Sequence, residues 1–255
     1  MPARAPSLPP AYNLVALERT ESTNDWARKL AGEGAEDGTL VWALEQTKGR
    51  GRQGRNWASP PGNLYCSLVL RPDCAPADAP QLSFLAALAV GGALGGLVPP
   101  LTDLRYKWPN DVLLNGRKAA GILLESAVKS DGTLDFLVLG VGVNVTSHPE
   151  DAAFPATSIR AEGAEPVELE AVLESFARHL LTWVDRWMDD GFGPVREAWL
   201  RRAWRLGERL EVNLGDEAVS GRFAGLAASG ALELEMDGGA RRMIAAGDVR
   251  AARAV

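Results

Sequence analysis

The stretch Gly49-Arg50-Gly51-Arg52-Gln53-Gly54-Arg55 constrains this chain more than any other, because residues without a side chain alternate with residues carrying a guanidinium. No hydrophobic core accommodates that pattern, so the segment has to be a loop. Glycine lets backbone N–H groups approach a bound group closely, and arginine supplies a planar, permanently charged fork for oxygen anions. With Lys48, the segment holds four cations within eight residues of a chain whose net charge is −6. The positive charge is therefore local, which points to a small anionic ligand rather than to a polyanion.

The run Thr39 to Gln46 reads as a strand entering this loop, and Asn63 to Leu70 as the strand that follows it. The loop satisfies G-x-G-x-x-G, with Asp73 about 20 residues beyond it. A dinucleotide-binding turn opens a helix, however, and Asn56-Trp57-Ala58-Ser59-Pro60-Pro61-Gly62 cannot start one of any length. The spacing of Gly49 and Gly54 also matches a P-loop, but Arg55-Asn56 stands where Lys-Ser/Thr is required. Neither nucleotide motif applies.

Elsewhere the pattern is that of a layered protein. Ser22-Thr23-Asn24-Asp25 precedes a short helical pattern, and on composition alone these residues read as an N-cap with a weak capping box. Leu82 to Val98 is apolar, but it falls short of the about 20 residues of a membrane span and reads as a buried helix. Pro109 interrupts the strand pattern in Lys107-Trp108-Pro109-Asn110-Asp111, which places Asn110 and Asp111 at the break. Asn115-Gly116 is a type I′ hairpin signal joining Val112–Leu114 to Arg117–Glu125. Leu134 to Val145 is an apolar strand on which Gly140, Gly142 and Asn144 share one face; that bare strip serves either close helix packing or a floor for a flat ligand. Glu168 to Asp190 carries a helical apolar stripe, with His179 beside it read as packed or solvated. A second helix spans about 193–204. Four short β-type runs between 209 and 251, about ten residues apart, indicate a small antiparallel barrel. The expected organisation is a main domain over 1–206, with 1–11 as a disordered leader, and a barrel over 207–255.

Composition bounds the setting. A 46% hydrophobic content over 255 residues can fill a real core. Two cysteines without CxxC spacing and only two histidines exclude a zinc cluster and point to a reducing compartment. The Pro-rich N-terminus has no apolar h-region, so the expected location is the cytoplasm.

Taken together, Glu21-Ser22-Thr23-Asn24, the Gly/Arg loop with Trp57, Lys107-Trp108-Pro109-Asn110-Asp111, Lys118-Ala-Ala-Gly121-Ile122-Leu123 with Glu125, and Gly140-Val-Gly142-Val-Asn144 resemble the ordered signature of biotin protein ligases. The resemblance runs from about Thr20 to the end. It implies an α+β fold, with a central mixed β-sheet, packed helices and a small C-terminal SH3-like β-barrel. It also implies an enzyme that uses ATP and Mg²⁺ to convert biotin to biotinyl-5′-adenylate. The biotinyl group then passes to a lysine of a biotin carboxyl carrier domain, such as that of acetyl-CoA carboxylase.

By resemblance, Arg52 and Lys118 contact the biotin carboxylate and then the adenylate phosphate, with Asp111 as a metal ligand or base. Ser22, Thr23, Asn24, Gln46, Gly49, Arg50, Gly51, Gly121, Gly140 and Gly142 complete the biotin site, which replaces the cap reading of Ser22–Asn24. Arg55, Trp57, Lys107, Asn110, Asn144 and Arg250 join the adenylate site. Family members occur as monomers and homodimers, and the sequence is silent on the choice. With 21 residues before Ser22, no DNA-binding repressor domain is expected, nor any DNA or membrane partner. A lipoate or octanoate ligase of the same superfamily is the nearest rival reading. A nucleic-acid-binding protein would leave four of the five motifs unexplained.

Overall fold

The computed structural model describes residues 4–252. The chain runs β1 (Asn13–Thr20), α1 (Thr23–Gly32), β2 (Thr39–Gln46), β3 (Leu64–Leu70), α2 (Leu82–Gly95), β4 (Leu104–Lys107), β5 (Asp111–Leu114), β6 (Arg117–Val128) and β7 (Leu134–Val143). It continues with α3 (Leu169–Asp190), α4 (Phe192–Leu200), β8 (Arg209–Asn213), β9 (Ala218–Leu226), β10 (Leu232–Glu235), β11 (Arg241–Ile244) and β12 (Asp248–Ala251). The first seven strands form one mixed sheet in the order β1-β2-β3-β7-β6-β5-β4, in which β1 and β2 are parallel and the other pairs antiparallel.

Side-chain alternation divides this sheet between two cores. On β7, Leu137, Leu139, Val141 and Val143 face a large core with α2 and α3, whereas Phe136 and Val138 face a small one with Ala27 and Ala31 of α1. Gly140 and Gly142 continue the second face. Helix α1 has only ten residues and its first turn abuts Gly140, where a Cβ would fall 2.0 Å from Asn24 Oδ1. Among the described residues no α-helix covers this face beyond that point, and the floor so left becomes the cleft.

Helix α2 is apolar on nearly every side because it is buried on nearly every side. Its glycines admit close neighbours: Gly91 meets the Tyr106 ring and Gly92 the exposed His179. A Cβ at Gly91 would lie 2.1 Å from Tyr106 Oη. Gly91→Ala is therefore expected to destabilise the protein by about 1–3 kcal/mol through overpacking, read as a lower denaturation midpoint at unchanged m-value.

Two expectations are corrected. Of the expected disordered leader 1–11, residues 1–3 lie outside the described residues, and the stretch from Arg4 is strapped across α3 together with the adjoining Tyr12. Arg4 pairs with Glu174 at 2.8 Å, Ser7 N donates to Glu174 Oε1 at 2.7 Å, and Tyr12 Oη donates to the Ala177 carbonyl at 2.9 Å. Sequence composition missed this because the partners are 165 and more residues away. The C-terminal strands form an antiparallel sheet, β11-β10-β9-β8-β12, but among the described residues its edges β11 and β12 do not pair and no closed barrel results. Its apolar face, including Leu210, Phe223, Leu234 and Val249, joins the large core instead, so closure is not needed to bury it. Strand β1 had no counterpart in the sequence reading.

Candidate active site

Strand register assembles the site. Lys107, Asp111, Gly121, Gly142, Tyr65 and Ala43 are successive cross-strand partners in a single row over β4, β5, β6, β7, β3 and β2. Cross-strand partners share a face, so the glycine floor and the charged pair at its end belong to one surface. Over the floor lies Trp57, against which a Cβ at Gly142 would fall within 2.6 Å and one at Gly121 within 3.0 Å.

The result is a cleft of about 690 Å³. Its lining includes Ser22, Thr23, Asn24, Gln46, Arg50, Gly51, Arg52, Arg55, Trp57, Lys107, Asn110, Asp111, Lys118, Gly121, Gly140, Gly142, Asn144 and Arg250. Of the residues the resemblance selects, Gly49 alone stands outside the lining. It is buried where a Cβ would fall 2.4 Å from both the Trp57 carbonyl and Ser59 Oγ, so glycine there allows the two ends of the loop to cross.

At one end, uncharged polar groups orient one another. Ser22 is the N-cap of α1, accepting from Asp25 N at 3.4 Å, and it also faces the cleft, so the cap and pocket readings both hold. Gln46 Oε1 accepts from Thr23 N at 2.8 Å and Thr23 Oγ1 at 3.0 Å, while its Nε2 donates to Ser59 Oγ at 2.9 Å. Asn24 donates to Glu125 at 2.8 Å and accepts from Ser67 at 2.6 Å. These bonds fix the amide orientations before any ligand arrives.

The other end is ionic. Asp111, buried, pairs with Lys118 at 2.5 Å through Oδ1 and with Lys107 at 3.3 Å through Oδ2. Burial alone would raise the Asp111 pKa, but Lys118 and then Lys107 outweigh it and hold the carboxyl below its ordinary range. Burial lowers the Lys107 pKa, opposed by Asp111 and aided by Lys118. Lys107 also sits 4.6 Å from the Phe154 ring centroid and Lys118 5.2 Å from that of Trp57.

A depressed carboxylate contributes stability that is complete above the unfolded-state value, about pH 4, and is lost as pH falls towards the folded-state value. Denaturation midpoints of the wild type are therefore expected to fall more steeply below pH 4 than those of Asp111→Asn. Parallel curves would show that Asp111 does not titrate in this way.

Above the floor the loop forms a small hairpin. Arg50 and Asn56 are bridged at its neck, Gly51 N donates to the Arg55 carbonyl at 2.7 Å, and the tip turns through Gln53 and Gly54 at φ 55° and 71°. The arginines do not repel one another unopposed, because each meets an anion or carbonyl. Arg50 pairs with Glu125 and Asp25, Arg55 with Asp248, and Arg52 with the Gly247 carbonyl and Asp248. Burial lowers the Arg52 pKa, with Asp248 and then Asp111 opposing.

Asn144 donates to the Thr157 carbonyl at 2.9 Å, tying β7 to the segment that forms the far wall. Arg250 is exposed at the cleft edge on β12, in register with Glu211. Among the lining residues that sequence reasoning did not select are Pro149, Asp151 to Phe154 and Ala156 of that wall, and Asn213 and Asp248 of the C-terminal sheet. Phe154 offered no motif; its proximity to Lys107 is purely tertiary.

The expected Mg²⁺ role of Asp111 does not fit. Both its oxygens face ammonium groups, and among the described residues no three His, Cys, Asp or Glu side chains gather as a metal site. A divalent cation there would have to displace a lysine, so no step below is routed through it.

Comparison with known proteins agrees with this geometry. The family model described as "Biotin/lipoate A/B protein ligase family" matches residues 55–201, and that of the "Biotin protein ligase C terminal domain" matches 206–250. The biotin--[acetyl-CoA-carboxylase] ligase of Paracoccus denitrificans is 44% identical over 91% of this chain and 98% of its own length. The enzyme of that name from Mycobacterium tuberculosis is 36% identical, with 92% and 88% covered. The biotin protein ligase from Aquifex aeolicus, solved in complex with biotin and ATP, superimposes with a TM-score of 0.80 at 27% identity, covering 94% of this chain and 99% of that one. Fold, cleft and sequence therefore agree that the chain belongs to the biotin/lipoate A/B protein ligase family, among its biotin protein ligases.

Proposed function

We propose that this chain joins biotin to a lysine of the biotin carrier domain of acetyl-CoA carboxylase, in two steps at one cleft. The observation that carries the reading is the meeting of an uncharged polar pocket and a cationic end across a glycine floor. A flat ureido ring with donors and acceptors suits the Ser22, Thr23 and Gln46 end. A carboxylate meeting a phosphate suits the end where Arg52, Lys107 and Lys118 stand.

In the first step a biotin carboxylate oxygen attacks the α-phosphorus of ATP, the α–β P–O bond breaks, and pyrophosphate leaves. Bringing two anions together costs Coulomb energy that fixed cations offset, most effectively where water is excluded. Arg52 and Lys118 do this at the reacting oxygens. Asp111 holds Lys107 and Lys118 in place, one ammonium on each of its oxygens.

In the second step the neutral amine of the acceptor lysine attacks the acyl carbon, the C–O bond to the adenylate breaks, and AMP departs. Trp57 and the loop cover the mixed anhydride until the acceptor arrives, which limits hydrolysis. Residues 1–206 are taken as the catalytic part and 207–255 as the small domain, which brings Asp248 and Arg250 to the cleft.

Exchange of labelled pyrophosphate into ATP tests the reading. Exchange should require biotin and be negligible with lipoate. Exchange driven by lipoate and not biotin would transfer the assignment to the other branch of the family.

A further inference from the structure

We propose that Glu125 is the positioning residue that pins the neck of the Gly49–Arg55 loop and links loop closure to the Asn24 end of the cleft. The proposal rests on the ligase reading above. Glu125 belongs to β6, on the face shared with Gly121 and Leu123 and beside Val138 of β7. Its side chain is only 17% exposed, yet it serves three donor residues, two on α1 and one on the loop.

Glu125 Oε2 accepts from Asn24 Nδ2 at 2.8 Å and from Arg50 Nη2 at 2.9 Å. Its Oε1 accepts from Arg28 Nη2 at 2.5 Å and from Arg50 Nη1 at 3.2 Å. The Arg50 pair is thus a two-point fork, the geometry that orients a guanidinium as well as attracting it. Asp25 takes Arg50 Nη2 from the other side at 2.6 Å.

Arg50 is half of the backbone bridge to Asn56 that closes the loop's neck. Holding its guanidinium therefore holds both ends of the hairpin, including the approach to Trp57. The tip is tied differently, by Arg52 and Arg55 to Asp248 of the C-terminal sheet. The loop then behaves as a flap with a fixed neck on the main sheet and a releasable tip. One further donor, Arg50 Nε, is buried without a partner in a residue that lines the cleft. An acceptor atom of a bound ligand can take it without disturbing either carboxylate pair.

A carboxylate that merely satisfied local donors would affect folding alone. A pin on the flap predicts a specific defect, which is looser binding of biotin and escape of the adenylate. The test uses the full chain with ATP and biotin, following pyrophosphate exchange and the fraction of biotinyl-adenylate recovered free in solution. Glu125→Gln keeps an acceptor for Asn24 but loses the charge that binds both arginines. It should raise the KM for biotin and the free adenylate fraction about tenfold each, with kcat within about threefold, the scale of one charge-assisted pair.

Arg50→Gln should show the same defect, and the double variant should lose less than the sum of the two single losses, because both remove the Glu125–Arg50 contact while each also loses a pair of its own, with Arg28 or with Asp25. Wild-type KM and adenylate retention in both single variants, or additive losses in the double one, would overturn the proposal. If Glu125→Gln does not fold, Glu125→Asp, which keeps the charge but draws it back from Arg50, replaces it: increased free adenylate supports the pin and wild-type retention overturns it. Absence of biotin-dependent exchange in the unaltered chain would overturn the ligase reading and this proposal with it. Exchange in the unaltered chain with no change in the variants overturns this proposal alone.

Discussion

Replacing Lys118 with alanine is expected to slow adenylate formation about 10²- to 10³-fold, the effect of deleting one preorganised donor aimed at developing charge. Two losses combine. The ammonium no longer neutralises the meeting of carboxylate and phosphate, and Asp111 loses the nearer of its two counterions, at 2.5 Å. Lys107 remains on the other carboxylate oxygen at 3.3 Å, so the buried charge is not stranded and the fold should survive. Single-turnover formation of biotinyl-adenylate at saturating biotin is the measurement. A wild-type rate would remove Lys118 from the chemistry. Arg52→Ala is expected in the same range, with an additional loosening of the loop tip from Gly247 and Asp248.

The second large effect is expected at a residue with no side chain. A Cβ at Gly140 would stand 2.0 Å from Asn24 Oδ1 and 2.8 Å from its Cγ, so Gly140→Ala must turn the buried Asn24 amide off its bonds to Ser67 and Glu125 or displace the first turn of α1 with it. Overpacking of this kind costs about 1–3 kcal/mol of stability. The displaced turn carries Ser22, Thr23 and Asn24, and a shift of about 1 Å in positioning groups can cost about 10²-fold in rate. Isothermal titration should therefore show biotin affinity reduced far more than the denaturation midpoint suggests. Biotin affinity unchanged in a destabilised Gly140→Ala would mean that the turn relaxes without moving its hydroxyls.

Much of the fold was legible because its signals are local. The apolar run of α2, the stripe of α3, the Asn115-Gly116 turn and the strands either side of the Gly/Arg loop each lie within one window of sequence, and each is observed. Strand β1 was missed because it is a half-exposed edge strand with an irregular burial pattern, whose partner β2 begins at Thr39. The barrel was over-read because strand spacing reports hairpins and not closure. What closes the apolar face is the main domain's core, which spacing does not register.

The site divides in the same way. Residue types that line the cleft were identifiable from motif and charge, as guanidiniums among glycines, a lysine and aspartate at a strand break, and a strip without side chains. Their partners were not. Asp111 read as a metal ligand or base because a lone acid at a strand break is a reasonable candidate for either. Register sets it opposite Lys107 and Gly121, and the long side chain of Lys118 reaches it from two residues off register, so that both its oxygens face ammonium groups. The three arginines of the loop read as alike, yet Glu125 holds one and Asp248 draws on the other two, from positions about 75 and 195 residues away in sequence.

The sequence by itself determined which groups this protein has and that they occur in an order matching one family, because backbone permissiveness, permanent charge and helix or strand period are properties of short segments. Only the tertiary structure decided which charges neutralise one another, where the floor is left uncovered and which end of the loop is pinned. Those depend on strand register and on where a ten-residue helix stops, and both are set by packing between segments far apart in the chain.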